Sequence, residues 1–226
     1  MRFLLSLISI FILSACSKAP NYHLLYPIEA SHQKVSRLQG YRFLSTELSS
    51  PASIIILSNP VENGGFVDLA FALSNHSSKP IHLDAKDFVF KLSKIGNVQL
   101  FTKEEYLHAS EYTKPKAFKD LTPKMQAYGC VGSNTKDNIS TDEFTPTQAW
   151  VWQRHLQYPF KRSELYFESL DLKPQETKGV IWRLKIPKLE EGFEQGTLFI
   201  KFDLNEEAYR FKFILQSLAQ DEKTAK

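Results

Sequence analysis

Phe66–Leu73 reads FVDLAFAL, and its alternation decides the fold. Successive side chains of a strand point to opposite faces, so Val67, Leu69, Phe71 and Leu73 share one side and Phe66, Asp68, Ala70 and Ala72 the other. The pattern recurs on either side of it. Asp87–Leu92 (DFVFKL) aligns Phe88, Phe90 and Leu92, and Gly179–Ile186 (GVIWRLKI) aligns Val180, Trp182, Leu184 and Ile186. Leu198–Leu204 aligns Leu198, Ile200, Phe202 and Leu204, and after Asn205-Glu206 the run Tyr209–Leu215 aligns Tyr209, Phe211, Phe213 and Leu215. Upstream, Ser53–Leu57 (SIIIL) is a short apolar strand ended by Asn59-Pro60, with a Gly64-Gly65 turn before FVDLAFAL. One apolar face per strand, with turns between most of them, predicts a mainly β chain folded as an antiparallel sandwich over about 41–218.

Two stretches carry a resemblance. FALSNHSSKPIHLDAKDFVFKL (Phe71–Leu92), followed much later by LKPQETKGVIWRLKIP (Leu172–Pro187) and two closing strands, is similar to the telokin-like, immunoglobulin-like domains of bacterial lipoproteins. The shared pattern is a strand, an Asn-x-Ser turn with proline, a strand, and later a proline-containing approach to a Gly-Val strand start. It covers roughly 66–93 and 172–215 and implies an immunoglobulin-like sandwich with no particular activity. The paired cysteines and tryptophan of antibody domains are absent.

The amino terminus supplies an address. Arg2 precedes an apolar run from Phe3 to Leu13, about eleven residues where a spanning helix needs roughly 20. Ser14 and Ala15 close it, which is the order of a secretory signal over 1–15. Leu13-Ser14-Ala15-Cys16 resembles the lipobox of bacterial lipoproteins. That resemblance implies cleavage between Ala15 and Cys16, acyl chains on Cys16, and attachment to a membrane of the bacterial envelope. Ser17 differs from the aspartate of the enteric inner-membrane signal, so the outer membrane is the expected destination. Several acyl chains hold where one holds only marginally.

Residues 16–40 show no sustained period and read as the lipidated cysteine and a tether, with His23 and His32 as solvated linker histidines and Val35 and Leu38 able to dock on the domain. Residues 219–226 read as a disordered tail. Past the signal, 27 bases face 25 acids, too even a balance for a nucleic-acid surface. With Cys16 acylated, Cys130 is the one remaining cysteine, so no intramolecular disulfide is expected.

Between the strand blocks, about 102–168 reads as a helical insert. Thr102-Lys-Glu-Glu105 and Thr145-Pro-Thr-Gln148 are capping boxes, Thr122-Pro123 puts proline at a first helical position, and Gly129 is a terminator. The first helix is expected to end before Pro115, and the last, AWVWQRHLQY, before Pro159.

No catalytic motif, metal set or cofactor fingerprint emerges. Glu105 and His108 share a helix face at i, i+3, but no second Glu-x-x-His accompanies them. Cys130, in Tyr128–Ser133, follows a helix end, where the dipole disfavours a thiolate. Asn75-His-Ser77 and Asn138-Ile-Ser140 match a glycosylation triplet without meaning in a bacterial setting. The candidate interaction surface is Trp150, Trp152, His155 and Tyr158, beside Phe160, with the basic run Lys114, Lys116, Lys119 and Lys124 around Phe118. Trp150 and Trp152 point about 200° apart on a helix, so one of them is free to line a contact surface unless both are held between insert and sandwich. The chain thus reads as a non-enzymatic, membrane-anchored binding or assembly module with an envelope protein or component as partner. A periplasmic carrier or cysteine-dependent enzyme, with Cys130 and His155 at a pocket between insert and sandwich, is the second reading. A structural subunit of a secretion or surface apparatus is the third.

Overall fold

The computed structural model describes residues 22–38, 41–109, 144–153 and 167–218. The chain is mainly β, with antiparallel sheets. In chain order the strands are β1 (Tyr22–Pro27), β2 (Gln33–Leu38), β3 (Tyr41–Thr46), β4 (Ala52–Ile56), β5 (Val61–Glu62), β6 (Phe66–Ser74) and β7 (Ile81–Asp84). They continue as β8 (Val89–Leu92), β9 (Gly96–Asn97), β10 (Gln99–Leu100), β11 (Ser169–Leu172), β12 (Thr177–Lys185), β13 (Gln195–Leu204) and β14 (Glu207–Leu218). One sheet runs β5-β1-β14-β13-β8-β9, the other β10-β12-β6-β4-β3-β2, and β11 pairs with β7 separately.

The alternation seen in sequence becomes the space between the two sheets. Val67, Leu69, Phe71 and Leu73 of β6 join Phe90, Trp182, Ile200, Phe202, Phe211 and Phe213 in one buried cluster. Trp182 stacks on Phe71 with centroids 4.5 Å apart, and Phe202 stacks on Tyr209 at 4.4 Å. Such offset and edge contacts add to the gain from burying each ring. The hairpin β13–β14 turns through Asn205 and Glu206, both at positive φ (50° and 67°), the primed geometry that matches strand twist.

The second face of FVDLAFAL is buried as well. Two capped helices, α1 (Lys103–His108) and α2 (Pro146–Val151), are described in the region read as an insert, and both capping boxes form as their spacing predicts. Val151 of α2 packs on Phe43, Ile55, Ala70 and Ala72, a cluster separate from the inter-sheet core. Ala70, Ala72 and Gly179 leave room for the helix that lies on this face. At Gly179 an added Cβ would fall 2.1 Å from the Phe71 carbonyl oxygen and 2.6 Å from the Trp150 ring. The helix is also held by polar groups: Thr147 Oγ1 lies 2.7 Å from Ser53 Oγ, and Gln148 Nε2 donates to Ser36 Oγ (2.9 Å) and Ser45 Oγ (3.2 Å). Under α1, Arg183 of β12 sits directly opposite Asp68 of β6 and donates to both carboxylate oxygens at 2.6 and 2.7 Å. Its guanidinium lies 4.0 Å from the Phe66 centroid and 5.2 Å from that of Tyr106 on α1.

The tether expected over 16–40 is corrected. From Tyr22 the chain is already β1, paired with β14 from Tyr22↔Leu218 to Pro27↔Phe213, and β2 follows as an edge strand on β3. Tyr22, His23, Leu24 and Leu25 are all buried, so β1 shows no alternation to read. Among the described residues the sheets therefore include Tyr22 onward, well before Tyr41. Val35 packs against the core. Of the expected insert, Thr122-Pro123 and Gly129 lie outside the described residues, as do the signal peptide and the tail at 219–226.

Candidate functional site

Where β1 leaves one sheet and β2 enters the other, their connection stands over the outer face of β13 and β14. The Ile28 N–H donates to the Lys212 carbonyl (3.1 Å), Glu47 N–H to the His32 carbonyl (3.0 Å), and Gln33 Nε2 to the Arg210 carbonyl (2.6 Å). Between this wall and the sheet lies a cleft of about 330 Å³. Ala30, Ser31, His32 and Gln33 form the wall, and Phe199, Lys201, Arg210 and Lys212 the floor, with Thr46 and Leu48 beside them.

The floor has a definite register. Phe199 is flanked by Lys91 on β8 and Lys212 on β14, and in the next row Lys201 is flanked by Val89 and Arg210. Opposed residues in such pairs have Cβ atoms about 4.5–5.5 Å apart. The Lys201 ammonium lies 5.3 Å and the Lys212 ammonium 6.0 Å from the Phe199 centroid, within reach of a cation–π attraction. Arg210 is fixed in place: Nη1 donates to the Phe202 and Tyr209 carbonyls (3.1 and 2.9 Å) and Nη2 to Asp203 Oδ1 (2.8 Å). The arrangement combines clustered positive charge, one aromatic ring and a roof, which suits capture of an anionic group more than bond making.

Of the residues picked out by sequence, Trp150 and Trp152 can be placed. Trp150 is seated over Gly179 against the sheet, and Trp152, partly buried, meets Tyr41 (6.3 Å) and Phe144 (5.7 Å) edge-on or tilted. Both therefore touch the sheet-and-insert packing, and the exposed part of this surface is the rim formed by Trp152 and Tyr41, the latter 38% exposed. Glu105 accepts from Thr102 N–H (2.8 Å) and from the Lys185 ammonium (2.6 Å), which holds its carboxyl below the usual range, Lys185 first. Ala15, Cys16, Lys114, Lys116, Lys119, Lys124, Cys130, His155, Tyr158 and Phe160 lie outside the described residues. Sequence reasoning missed the cleft. Its one local signal is Phe-x-Lys in β13 beside Arg-x-Lys in β14, at positions between the core-facing ones.

His23 is likewise no linker residue. It is 2% exposed and meets Phe193 edge-on at 5.7 Å, and among the described residues neither ring nitrogen has a hydrogen-bond partner. Burial pushes its imidazolium down in pKa. The unfolded chain takes up a proton near pH 6.5 and the folded chain only below that, so the contribution of neutral His23 is held above this range and lost as pH falls through it. His82 works in the opposite sense. Its ring lies 2.7 Å from Asp171 and 3.1 Å from Asp84, which raises its pKa, Asp171 foremost, so its support is present at low pH and lost as pH rises through the raised value. Because that clasp is exposed, the His23 effect should dominate. Urea midpoints measured from pH 5 to 7.5 are expected to fall on the acid side, and His23→Phe to flatten that fall; an unchanged profile in the variant would assign the acid sensitivity elsewhere.

Comparison with known proteins returns no matching family model, no matching curated relative and no matching solved structure.

Proposed function

We propose that this chain is a lipoprotein of a bacterial envelope, anchored through acyl chains on Cys16 after cleavage behind Ala15, and that it binds an envelope component rather than transforming a substrate. Its sheets are read as an immunoglobulin-like sandwich elaborated by a helical insert on one outer face. The lipobox order of Leu13–Cys16 supports the anchor, and the outer membrane is its expected site because Ser17 follows the cysteine. The early start of β1 sharpens the picture. Five residues separate Cys16 from Tyr22, so the folded part hangs within about 20 Å of its attachment point, given at most about 3.6 Å per residue. An anchor so short confines the domain to a thin layer and raises its effective concentration toward anything else held there.

The observation that carries the binding reading is the cleft: the Lys201 and Lys212 ammonium groups about one ring, with Arg210 in the same floor, beside a hydrogen-bonded wall. The anchor is tested by fractionation. Cys16→Ala should abolish acylation and signal cleavage, and the wild-type chain should appear in membranes at the mature size. A Cys16→Ala chain that is still processed and still membrane-bound through an acyl group overturns the anchored reading.

A further inference from the structure

We propose that the cleft is a binding site for an anionic saccharide, a sugar-sized ring carrying a phosphate or carboxylate group. The inference rests on the binding reading above and adds the ligand class.

Three observations point to it. The first is a cost the fold retains. Lys201 lies directly opposite Arg210 on the same outward face, and like charges so placed destabilise a ladder. Asp203 answers Arg210 at 2.8 Å, but among the described residues no carboxylate lies in ion-pair contact with Lys201 or Lys212. An anion in the cleft would turn this repulsion into attraction, with both ammonium groups already gathered over one ring.

The second is the apolar part of the lining. Phe199, Leu48, Ala30 and Ala208 offer a surface for a carbon framework, and Ser31 offers a hydroxyl beside it. A bare inorganic anion needs none of this. Small-ligand sites typically pair such a surface with a few convergent polar groups, and about 330 Å³ accommodates one ring with its substituents.

The third is shape. A flat anionic bilayer meets flat or convex surfaces, and here the segment Ala30–Gln33 is bonded over the charged floor through Gln33 and Arg210. The roof admits a discrete group and keeps out a headgroup plane. Lys91, in line with Phe199 and Lys212 but on β8, extends the positive strip beyond the cleft mouth, where a longer charged chain would continue.

The full chain in detergent micelles is titrated calorimetrically with glucose 6-phosphate and with glucuronic acid, beside glucose and inorganic phosphate. Saturable binding of at least one anionic sugar is expected, weakening as salt is raised, with glucose silent. The double variant Lys201→Ala/Lys212→Ala should bind at least tenfold more weakly while melting no lower than the wild type, since it also removes the repulsion between Lys201 and Arg210. Lys201→Arg should retain most of the affinity. Equal binding of glucose, or no saturable binding of either anionic sugar, overturns the proposal. Inorganic phosphate binding as tightly as glucose 6-phosphate overturns the saccharide class. Co-sedimentation that is stronger with phosphatidylglycerol than with phosphatidylcholine vesicles and is lost in the Lys201→Ala/Lys212→Ala variant, in place of soluble-sugar binding, would assign the cleft to a lipid surface instead. The two readings fail separately: a Cys16→Ala chain that binds these sugars supports the ligand whatever the outcome for the anchor.

Discussion

Replacing Arg183 by methionine is expected to cost about 3–5 kcal/mol of folding stability, the usual result of removing one partner from a buried ion pair. Arg183 and Asp68 are 2% and 3% exposed and meet through two parallel hydrogen bonds. Asp68 sits in the middle of β6, between β4 and β12, so its carboxylate has no short route to water. Without its bidentate partner it remains where it is, poorly solvated. The guanidinium also contributes as a flat surface, lying between Phe66 and Tyr106, so its loss should loosen α1 on the sheet. Denaturant midpoints measure the first effect. The double variant Asp68→Leu/Arg183→Met should recover much of the loss, because two apolar side chains incur no charge burial. A cost below about 1 kcal/mol for the single variant would mean that the pair is solvated in solution.

The second large effect belongs to Asn75, which is fully buried and makes five side-chain hydrogen bonds. Its Nδ2 donates to the carbonyls of Lys79 (2.8 Å), Lys173 (3.1 Å) and, more weakly, Leu172 (3.4 Å), while Oδ1 accepts from the N–H and hydroxyl of Ser77. One amide thereby closes the β6–β7 turn and ties it to the segment between β11 and β12. Asn75→Ala removes all five bonds and leaves partly buried carbonyl and N–H groups short of a partner, at roughly 1–3 kcal/mol for each one that water does not reach, so a loss of about 3 kcal/mol is expected from urea unfolding. Asn75→Asp keeps the acceptor toward Ser77 but turns an oxygen toward three carbonyls, and should be no better than alanine. If aspartate were tolerated at neutral pH, the carbonyl bonds would not be the source of the effect. The burial also explains why the Asn75-His-Ser77 triplet has no meaning as an acceptor site: its amide is fully used.

The helix caps and the inward faces of the long strands were legible because they are local. Thr102 and Thr145 meet their capping partners three residues on, and period-2 patterning needs only two faces of different character, as where Asp68, Ala70 and Ala72 alternate with the large apolar residues of β6. β1 was illegible because it is buried on both faces with large side chains on each, so YHLLYP has no alternation and passes for a linker. β2 is a polar edge strand whose membership depends on β3. The Ala70, Ala72 and Gly179 positions showed their smallness in the sequence but not its cause, the helix α2 laid across them from a segment 70 and more residues downstream of Ala72 in the chain.

The candidate site divides the same way. From sequence alone come the mainly β character and the fact that Phe199, Lys201, Arg210 and Lys212 point away from their strands' apolar faces. That these residues form one positively charged floor follows from the register of β8, β13 and β14, and the wall over it from the connection that runs from β1 in one sheet to β2 in the other. Side-chain parity is fixed by covalent geometry and can be read one strand at a time. Which strands lie side by side is set by the packing of the whole core, so the grouping of charges around Phe199 exists only once the tertiary structure has formed.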